Sequence, residues 1–259
     1  LALRFDRCNL AQIARDTAED YQASLESEGL RLLIDVPETP IWVEGDAVRL
    51  AQMLGNLLNN AGRFSHAGGL ITVEARVDTV LQQAMVRVAD TGVGIGSELL
   101  RRLFNPFEQG AQDLSRSRGG LGLGLALTQG LATLHGGHIE AKSPGPDLGA
   151  TFTLWLPLAS EHAGERSGAD PISASLPSTG SVSTGFAPVA AQDRRRLRIL
   201  VVEDNLDAAE TLGELLALSG HEVEVCHDGE AGVALAKQGS PDVLISDLGL
   251  PGEMDGYQL

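Results

Sequence analysis

The chain has 259 residues, enough for one to three domains, and its apolar fraction of 43% is that of an ordinary globular protein. A formal net charge of −16 excludes a nucleic-acid surface, which needs clustered Lys and Arg to neutralise phosphates; most of the carboxylates read as a solvated acidic exterior. Aromatic residues make up 4%, so the cores must be aliphatic; Cys8 and Cys226 stand far apart in no metal-spaced pattern and suit a reducing compartment; no apolar run approaches the roughly 20 residues that span a bilayer.

Ala11 to Leu25 carries apolar residues at helical spacing, and Leu30 to Val36 reads as a strand. Asp46 then caps a long helix running to about Phe64. Leu70 to Val77 and Ala84 to Ala89 form two strands, followed by glycine-rich segments and a helix near Leu125 to Leu134. Strands at His138 to Lys142 and Thr151 to Leu156 complete a first domain, expected to span residues 1–158 with helices on one face of a mixed sheet. Residues 159–196 are rich in Ser, Ala, Gly and Pro without apolar periodicity, the composition of a flexible linker. From Leu197 a second pattern begins: strand Arg198 to Val202, helix Asp207 to Leu218, strand His221 to Cys226, helix Gly229 to Lys237 and strand Val243 to Ser246. This β-α-β-α-β order implies a doubly wound parallel sheet.

Three segments of the first domain carry chemistry. In the helix that contains Gln52 to Phe64, Leu50, Leu54, Leu57, Leu58 and Ala61 form one stripe, while Asn56, Asn60 and Arg63 share another face. Asn weakens a helix interior, so that face is either a merely solvated one or one on which an Asn amide oxygen meets Mg²⁺ and Arg63 a phosphate. Asp90-Thr-Gly-Val-Gly-Ile95 follows a strand; a carboxylate fixed there can accept from an exocyclic amine such as that of adenine, and Gly92 and Gly94 permit close backbone approach. A dinucleotide-binding turn fails on detail, because Ser97 stands where its third Gly belongs. Gly119-Gly-Leu-Gly-Leu-Gly-Leu125 opens a helix, so Gly120, Gly122 and Gly124 expose amides suited to an anion, and Arg116 and Arg118 lie in a polar stretch placed to cover phosphates. No Gly-Lys-Ser/Thr follows, so this is not a Walker loop.

The order and spacing of Asn56–Asn60, Asp90-Thr-Gly-Val-Gly, Leu103-Phe-Asn-Pro-Phe-Glu-Gln109 and Gly120-Leu-Gly-Leu-Gly resemble the N, G1, F and G2 boxes of sensor histidine kinases. Gly149-Ala-Thr-Phe152 resembles the G3 box, with Ala150 where a hydroxyl residue is commoner, and Arg63 stands where the family usually has Lys. The resemblance covers residues 1–158 and implies a Bergerat-type ATP-binding fold, a two-layer α/β sandwich. It implies Asn60 as Mg²⁺ ligand and Asn56 as its support. It likewise implies Arg63 as phosphate contact and Asp90 as adenine reader. Gyrase-type and chaperone ATPases share that fold but require a catalytic Glu near the Asn helix, where Gln52 and Met53 stand and Glu44 lies before the helix. A non-catalytic ATP-gated interaction module is the other alternative.

In the second domain, Glu203-Asp204 closes the first strand and Asp247 lies just beyond the third, so a doubly wound sheet brings three carboxylates to one crevice, where a cation would join them. The runs Val201-Val-Glu-Asp-Asn205 and Ser246-Asp-Leu-Gly-Leu-Pro-Gly-Glu-Met-Asp-Gly256 resemble response-regulator receiver domains, of flavodoxin-like fold. That match implies Asp247 as phospho-acceptor, with Glu203, Asp204 and the Gly249 carbonyl as metal contacts; Glu253 lengthens the following loop by one residue. Residues 197–259 are expected to be only the N-terminal half of such a domain, with an exposed sheet edge, and not to accept phosphate unaided.

Kinase followed by receiver is the layout of hybrid sensor kinases, which implies transfer from MgATP to a His and then to Asp247. None of the six His here fits that role, since His66 and His162 lie in polar turns, His135 and His138 flank a glycine pair and His221 and His227 bracket a strand. The acceptor is therefore expected, beside an acidic neighbour, on a histidine-bearing dimerisation domain of a longer protein. The sequence lacks an initiator Met and reads as an excerpt. The implied partners are that domain, a second copy joined through it, and a downstream response regulator or phosphotransfer protein; no nucleic acid is expected. Residence is expected to be cytoplasmic, with any membrane anchor elsewhere in the longer protein.

Overall fold

The computed structural model describes residues 3–108, 122–159, 195–252, 254, 256, 258 and 259. The expected linker lies almost wholly outside them, and Arg116, Arg118 and Gly120 lie outside them too.

The first sheet has the order β2(Arg31–Asp35)-β4(Leu70–Asp78)-β5(Gln83–Asp90)-β7(Ala150–Pro157)-β6(His138–Lys142). β2 runs parallel to β4, and the remaining pairs are antiparallel, so the sheet is mixed. Register stacks Val73, Val88 and Phe152 in one row and Ala75, Val86 and Leu154 in the next. These residues alternate along their strands and are buried, so one face of the sheet is aliphatic. The other face carries ion pairs, Arg76–Asp35 at 2.6 Å and Arg87–Glu74 at 3.2 Å.

Helices α1(Leu10–Ser27), α2(Ala47–Arg63) and α4(Gly124–Leu134) supply the second layer. The leucine stripe of α2 (Leu50, Leu54, Leu57, Leu58) is joined by Met53 and Ala61 in one buried core with Ile71, Val73, Leu127 and Leu131. Asp46 caps α2 by accepting from the amides of Val48 (3.1 Å) and Arg49 (3.3 Å). Its own amide donates to Nε2 of the buried His135 at 3.0 Å, while Nδ1 of that ring lies 2.8 Å from the Leu131 carbonyl. His135 is thus a buried fastener between the start of α2 and the end of α4. Two features escaped the sequence pattern: a two-stranded sheet of β1(Asp6–Asn9) and β3(Trp42–Gly45), and a short helix α3(Ser97–Leu100). Four-residue elements are too short to declare a period.

The second sheet has the order β10(Val243–Ser246)-β8(Arg198–Val202)-β9(Glu222–Cys226), all parallel, with α5(Leu206–Leu218) and α6(Gly229–Gly239) between strands. β8, buried from Ile199 to Val202, is central. β10 is an edge among the described residues, and Val243 and Leu244 on it are exposed. Asn205 caps α5 and Asp228 caps α6. No helix among the described residues is long and apolar enough to cross a membrane.

Candidate functional site

α2 is the hub of the first site. At about 100° per residue, Arg49, Gln52, Asn56, Asn60 and Arg63 fall within an arc of about 80°, turned away from the leucine stripe. Asn56 and Asn60 are half-buried, and the Asn56 amide nitrogen donates to the Gly124 carbonyl at 3.4 Å. The middle of α2 therefore lies beside the opening of α4. Arg63 sits over the Phe64 ring, 5.2 Å from its centroid.

The far end of α2 meets the Asp90 turn. The Phe64 carbonyl accepts from the Val93 amide at 2.9 Å, and a Cβ at Gly92 would fall 2.1 Å from that same oxygen. Gly94, at φ +63°, would carry a Cβ 2.0 Å from the Gly145 carbonyl. Both glycines are therefore required by backbone packing against backbone, whatever else they do for a ligand.

Asp90 closes β5, opposite Ile71 on β4 and Ala150 on β7. Its Oδ1 accepts from the amides of Gly92 (2.8 Å) and Ala150 (3.2 Å). Among the described residues both bonds go to Oδ1, which leaves Oδ2 to accept from a ligand amine. Burial raises the Asp90 carboxyl above its ordinary value, against the lowering effect of those two amides. Ser143 ties the turn to the β6–β7 loop: its hydroxyl accepts from the Ile95 amide (2.9 Å) and donates to the Gly149 carbonyl (2.7 Å).

α4 begins at Gly124 behind Gly122, which takes φ +70°. Among the described residues no side chain caps this helix, so its first amides are open there to an anion. Of the Asn-Pro-Phe segment, Leu103 and Phe104 pack on the core, and the Phe107 amide donates to the Gly122 carbonyl at 3.2 Å. Asn56, Asn60, Arg63, Asp90, Gly122 and Gly124 are thus linked through α2. The donor set of amide oxygens, one desolvated carboxylate and open helix amides matches adenine, phosphates and a hard divalent cation.

A second cluster lies at the carboxyl ends of β8 and β10. Glu203, Asp204 and Asp247 each bring a carboxylate oxygen within 4.8 Å of the others. Burial, then the charges of Asp247 and Asp204, push the Glu203 carboxyl up, against a 3.4 Å bond from the Asn205 amide. Such mutual repulsion is what a divalent cation relieves, so the trio fits Mg²⁺. The Leu248 amide donates to Asp247 Oδ1 at 2.6 Å, and Gly249 follows in the same exposed loop. The carbonyl of Asp247 lies 2.1 Å from where a Cβ on Gly256 would stand, so the chain returns tightly over the cluster.

The sequence pattern missed a contact between the two sheets' helices. Glu214 on α5 is buried and pairs with Arg49 and Gln52 on α2. The advance signal was that Leu212, Leu215, Leu216 and Leu218 spread over an arc of about 160° on α5, wider than one buried stripe needs.

Residues 45–160 match the family described as histidine kinase-, DNA gyrase B- and HSP90-like ATPases, and residues 199–259 match the response regulator receiver domain. The chain is similar to the non-motile and phage-resistance protein of Caulobacter vibrioides, with 41% identity over 155 residues, 59% of this chain and 18% of that protein. It is also similar to the circadian input-output histidine kinase CikA of Synechococcus elongatus, with 32% identity over 231 residues, 88% of this chain and 28% of that one. The chain therefore spans less than a third of the length of either relative. Among solved structures, full-length ShkA in complex with AMPPNP covers 100% of this chain with 48% of its own, at a TM-score of 0.54 and 22% identity, a likeness of fold. Motifs, sheet order and relatives agree: the chain carries the ATP-binding domain of a histidine kinase followed by a response-regulator receiver domain.

Proposed function

We propose that residues 1–158 bind MgATP and supply the phosphoryl group for a two-step relay, through a histidine outside these residues to Asp247. The observation that carries this reading is the convergence on α2: Asn56 reaches Gly124 at the opening of α4, and Phe64 holds the turn beginning at Asp90. Adenine specificity is assigned to Asp90, whose Oδ2 accepts the exocyclic amine. Phosphates are assigned to the open amides of α4 and to Arg63, with Arg116 and Gly120 completing that set from outside the described residues. Asn60, supported by Asn56, is assigned to Mg²⁺, which when bound neutralises phosphate charge.

In this relay the bond from the γ-phosphorus to its bridging oxygen breaks as a bond to the histidine nitrogen forms, and ADP leaves. The phosphorus–nitrogen bond then breaks as an Asp247 carboxylate oxygen attacks. Glu203 and Asp204 would hold a divalent cation, which would supply charge neutralisation there. The chain's part is positioning and charge neutralisation. ShkA, whose fold this chain shares, was solved with AMPPNP bound, which favours an adenine nucleotide. The implied partners are a histidine-bearing dimerisation domain, a second copy through that domain, and a downstream phospho-acceptor protein. Domain limits of 1–158 and 197–259 with a linker between them follow the same reading.

The test mixes this chain with a helical dimerisation domain bearing His beside Glu or Asp, and γ-labelled ATP. Label on the histidine is expected, and none when the chain carries Asn60→Ala. ATP binding without any transfer would leave an ATP-gated interaction module in its place.

A further inference from the structure

The docking of α5 on the ATP-binding half is built, not incidental. Glu214 is only 7% exposed, and its two oxygens are divided between Arg49 and Gln52, the latter at 2.7 Å. Arg49 also donates to the Gln52 side chain at 2.9 Å, so the three groups close a small network. A buried carboxylate that lost these partners would be strongly destabilising, so the network fixes how the two helices meet. Arg49 and Gln52 lie on the same arc of α2 as Asn56, Asn60 and Arg63, and the receiver helix therefore grips the site-bearing face.

Apolar contacts extend the same interface to α4. Leu215 and Leu218 of α5 pack against the core of the first sheet. Gly130 makes room for Leu218, since a Cβ there would lie 3.1 Å from Leu218 Cδ1. Leu123, the residue between Gly122 and the first residue of α4, is 2% exposed. It is buried not in the ATP-binding core but in a cluster with Ile199, Val201 and Leu212 of the receiver. Its carbonyl accepts from the Leu127 amide at 2.9 Å and so opens the hydrogen-bond ladder of α4.

We propose that receiver docking sets nucleotide affinity: α5 and β8 hold Leu123, and Glu214 holds α2, so that the two walls of the site are ordered before nucleotide arrives. Undocked, the Leu123 side chain returns to water and the first turn of α4 loses its anchor. Nucleotide must then supply that ordering, and affinity falls. By linkage, bound nucleotide strengthens docking by the same factor. The proposal rests on the reading of this face as the nucleotide site.

The experiment titrates trinitrophenyl-ATP with Mg²⁺ into the 259-residue chain as wild type, Glu214→Arg, Arg49→Glu, the double exchange, and Leu218→Asp, which disrupts docking and leaves both charges in place. Amide exchange of the first turn of α4 is read in parallel without nucleotide. Each single variant is expected to bind about tenfold more weakly, within the usual range of site coupling. Exchange in α4 is expected to quicken, and the double exchange to recover most of both. Single variants that bind like the wild type overturn the proposal, as does a double exchange no better than its parents. If the wild type takes up no nucleotide, the nucleotide reading fails, and the exchange rates alone then decide: unchanged rates in the variants overturn the anchoring of Leu123, and quickened rates uphold it.

Discussion

Replacing Asp90 by Asn separates its structural work from its recognition. Both backbone bonds end on Oδ1, from Gly92 at 2.8 Å and Ala150 at 3.2 Å, and the amide oxygen of Asp90→Asn can keep both. What changes is Oδ2, a charged acceptor exchanged for an NH₂ donor. Stability should therefore stay within about 1 kcal/mol of the wild type. A hydrogen bond to a charged group is worth about 1.5–3 kcal/mol, so ATP affinity should fall roughly 10- to 150-fold. Asp90→Ala, in contrast, strands two inward-facing amides at about 1–3 kcal/mol each and should lower the unfolding midpoint as well. Calorimetric titration with ATP and with inosine triphosphate, which lacks the exocyclic amine, reads the recognition directly. The wild type should prefer ATP, and Asp90→Asn should lose that preference. An Asp90→Asn chain that still prefers ATP over inosine triphosphate would refute the reasoning. The pH dependence has a definite sign. Burial raises the folded-state value of Asp90 above 3.8, so this group stabilises the fold as pH falls through that raised value. Nucleotide binding needs the carboxylate and must weaken over the same window.

Asp46→Ala removes the α2 cap and should cost about 1 kcal/mol in denaturant unfolding, while Asp46→Asn keeps most of it. The Arg4 amide is the chief group holding the Asp46 carboxyl below 3.8, so its contribution is present above that value and lost as pH drops through the lower one. Leu57→Ala, at a site with no solvent exposure, should destabilise by about 2–5 kcal/mol through the cavity it leaves, measured by urea unfolding. Gly94→Ala combines a positive φ with a clash at the Gly145 carbonyl and should lower stability by more than about 1 kcal/mol, whether or not nucleotide is present. Mg²⁺ titrated calorimetrically should bind the Glu203 cluster, with Asp247→Asn or Asp204→Asn weakening it at least about tenfold. That binding should fade with acidity sooner than for ordinary carboxylates, because Glu203 is raised by burial.

Much of this was legible in the residues. The leucine stripe of α2 and the alternation of Ile71, Val73 and Ala75 repeat at the helix and strand periods, and both faces are buried in the structure. Asp46 announced a cap by its type and position. The spaced Asn, Asp-Thr-Gly and glycine segments suggested one nucleotide chemistry, because Asn is out of place in a helix interior and the other two offer an acceptor or open amides at an element's end. Less visible was why Gly92 and Gly94 are glycines: spacing suggested room for a ligand, whereas the clashes a Cβ would meet are with Phe64 and Gly145 carbonyls. His135 likewise looked like any polar residue beside a glycine pair, and only the approach of Asp46 from 89 positions earlier made it a buried fastener.

Local order therefore came from the sequence alone: periodicity, caps and turn glycines act between near neighbours and need no fold to be read. Sheet order, the meeting of Asn56 with Gly124, and the pairing of Glu214 with Arg49 and Gln52 were decided by tertiary structure. These contacts join residues 68 and 162 or more positions apart, and a single sequence carries no periodic signal across such distances. In the structure α5 buries leucines on both sides, Leu212 in the receiver cluster and Leu218 against the first sheet's core. Only packing settled that α2 and α4 would cover the second of these sides, because burial is non-directional and takes whichever apolar surface the fold brings near.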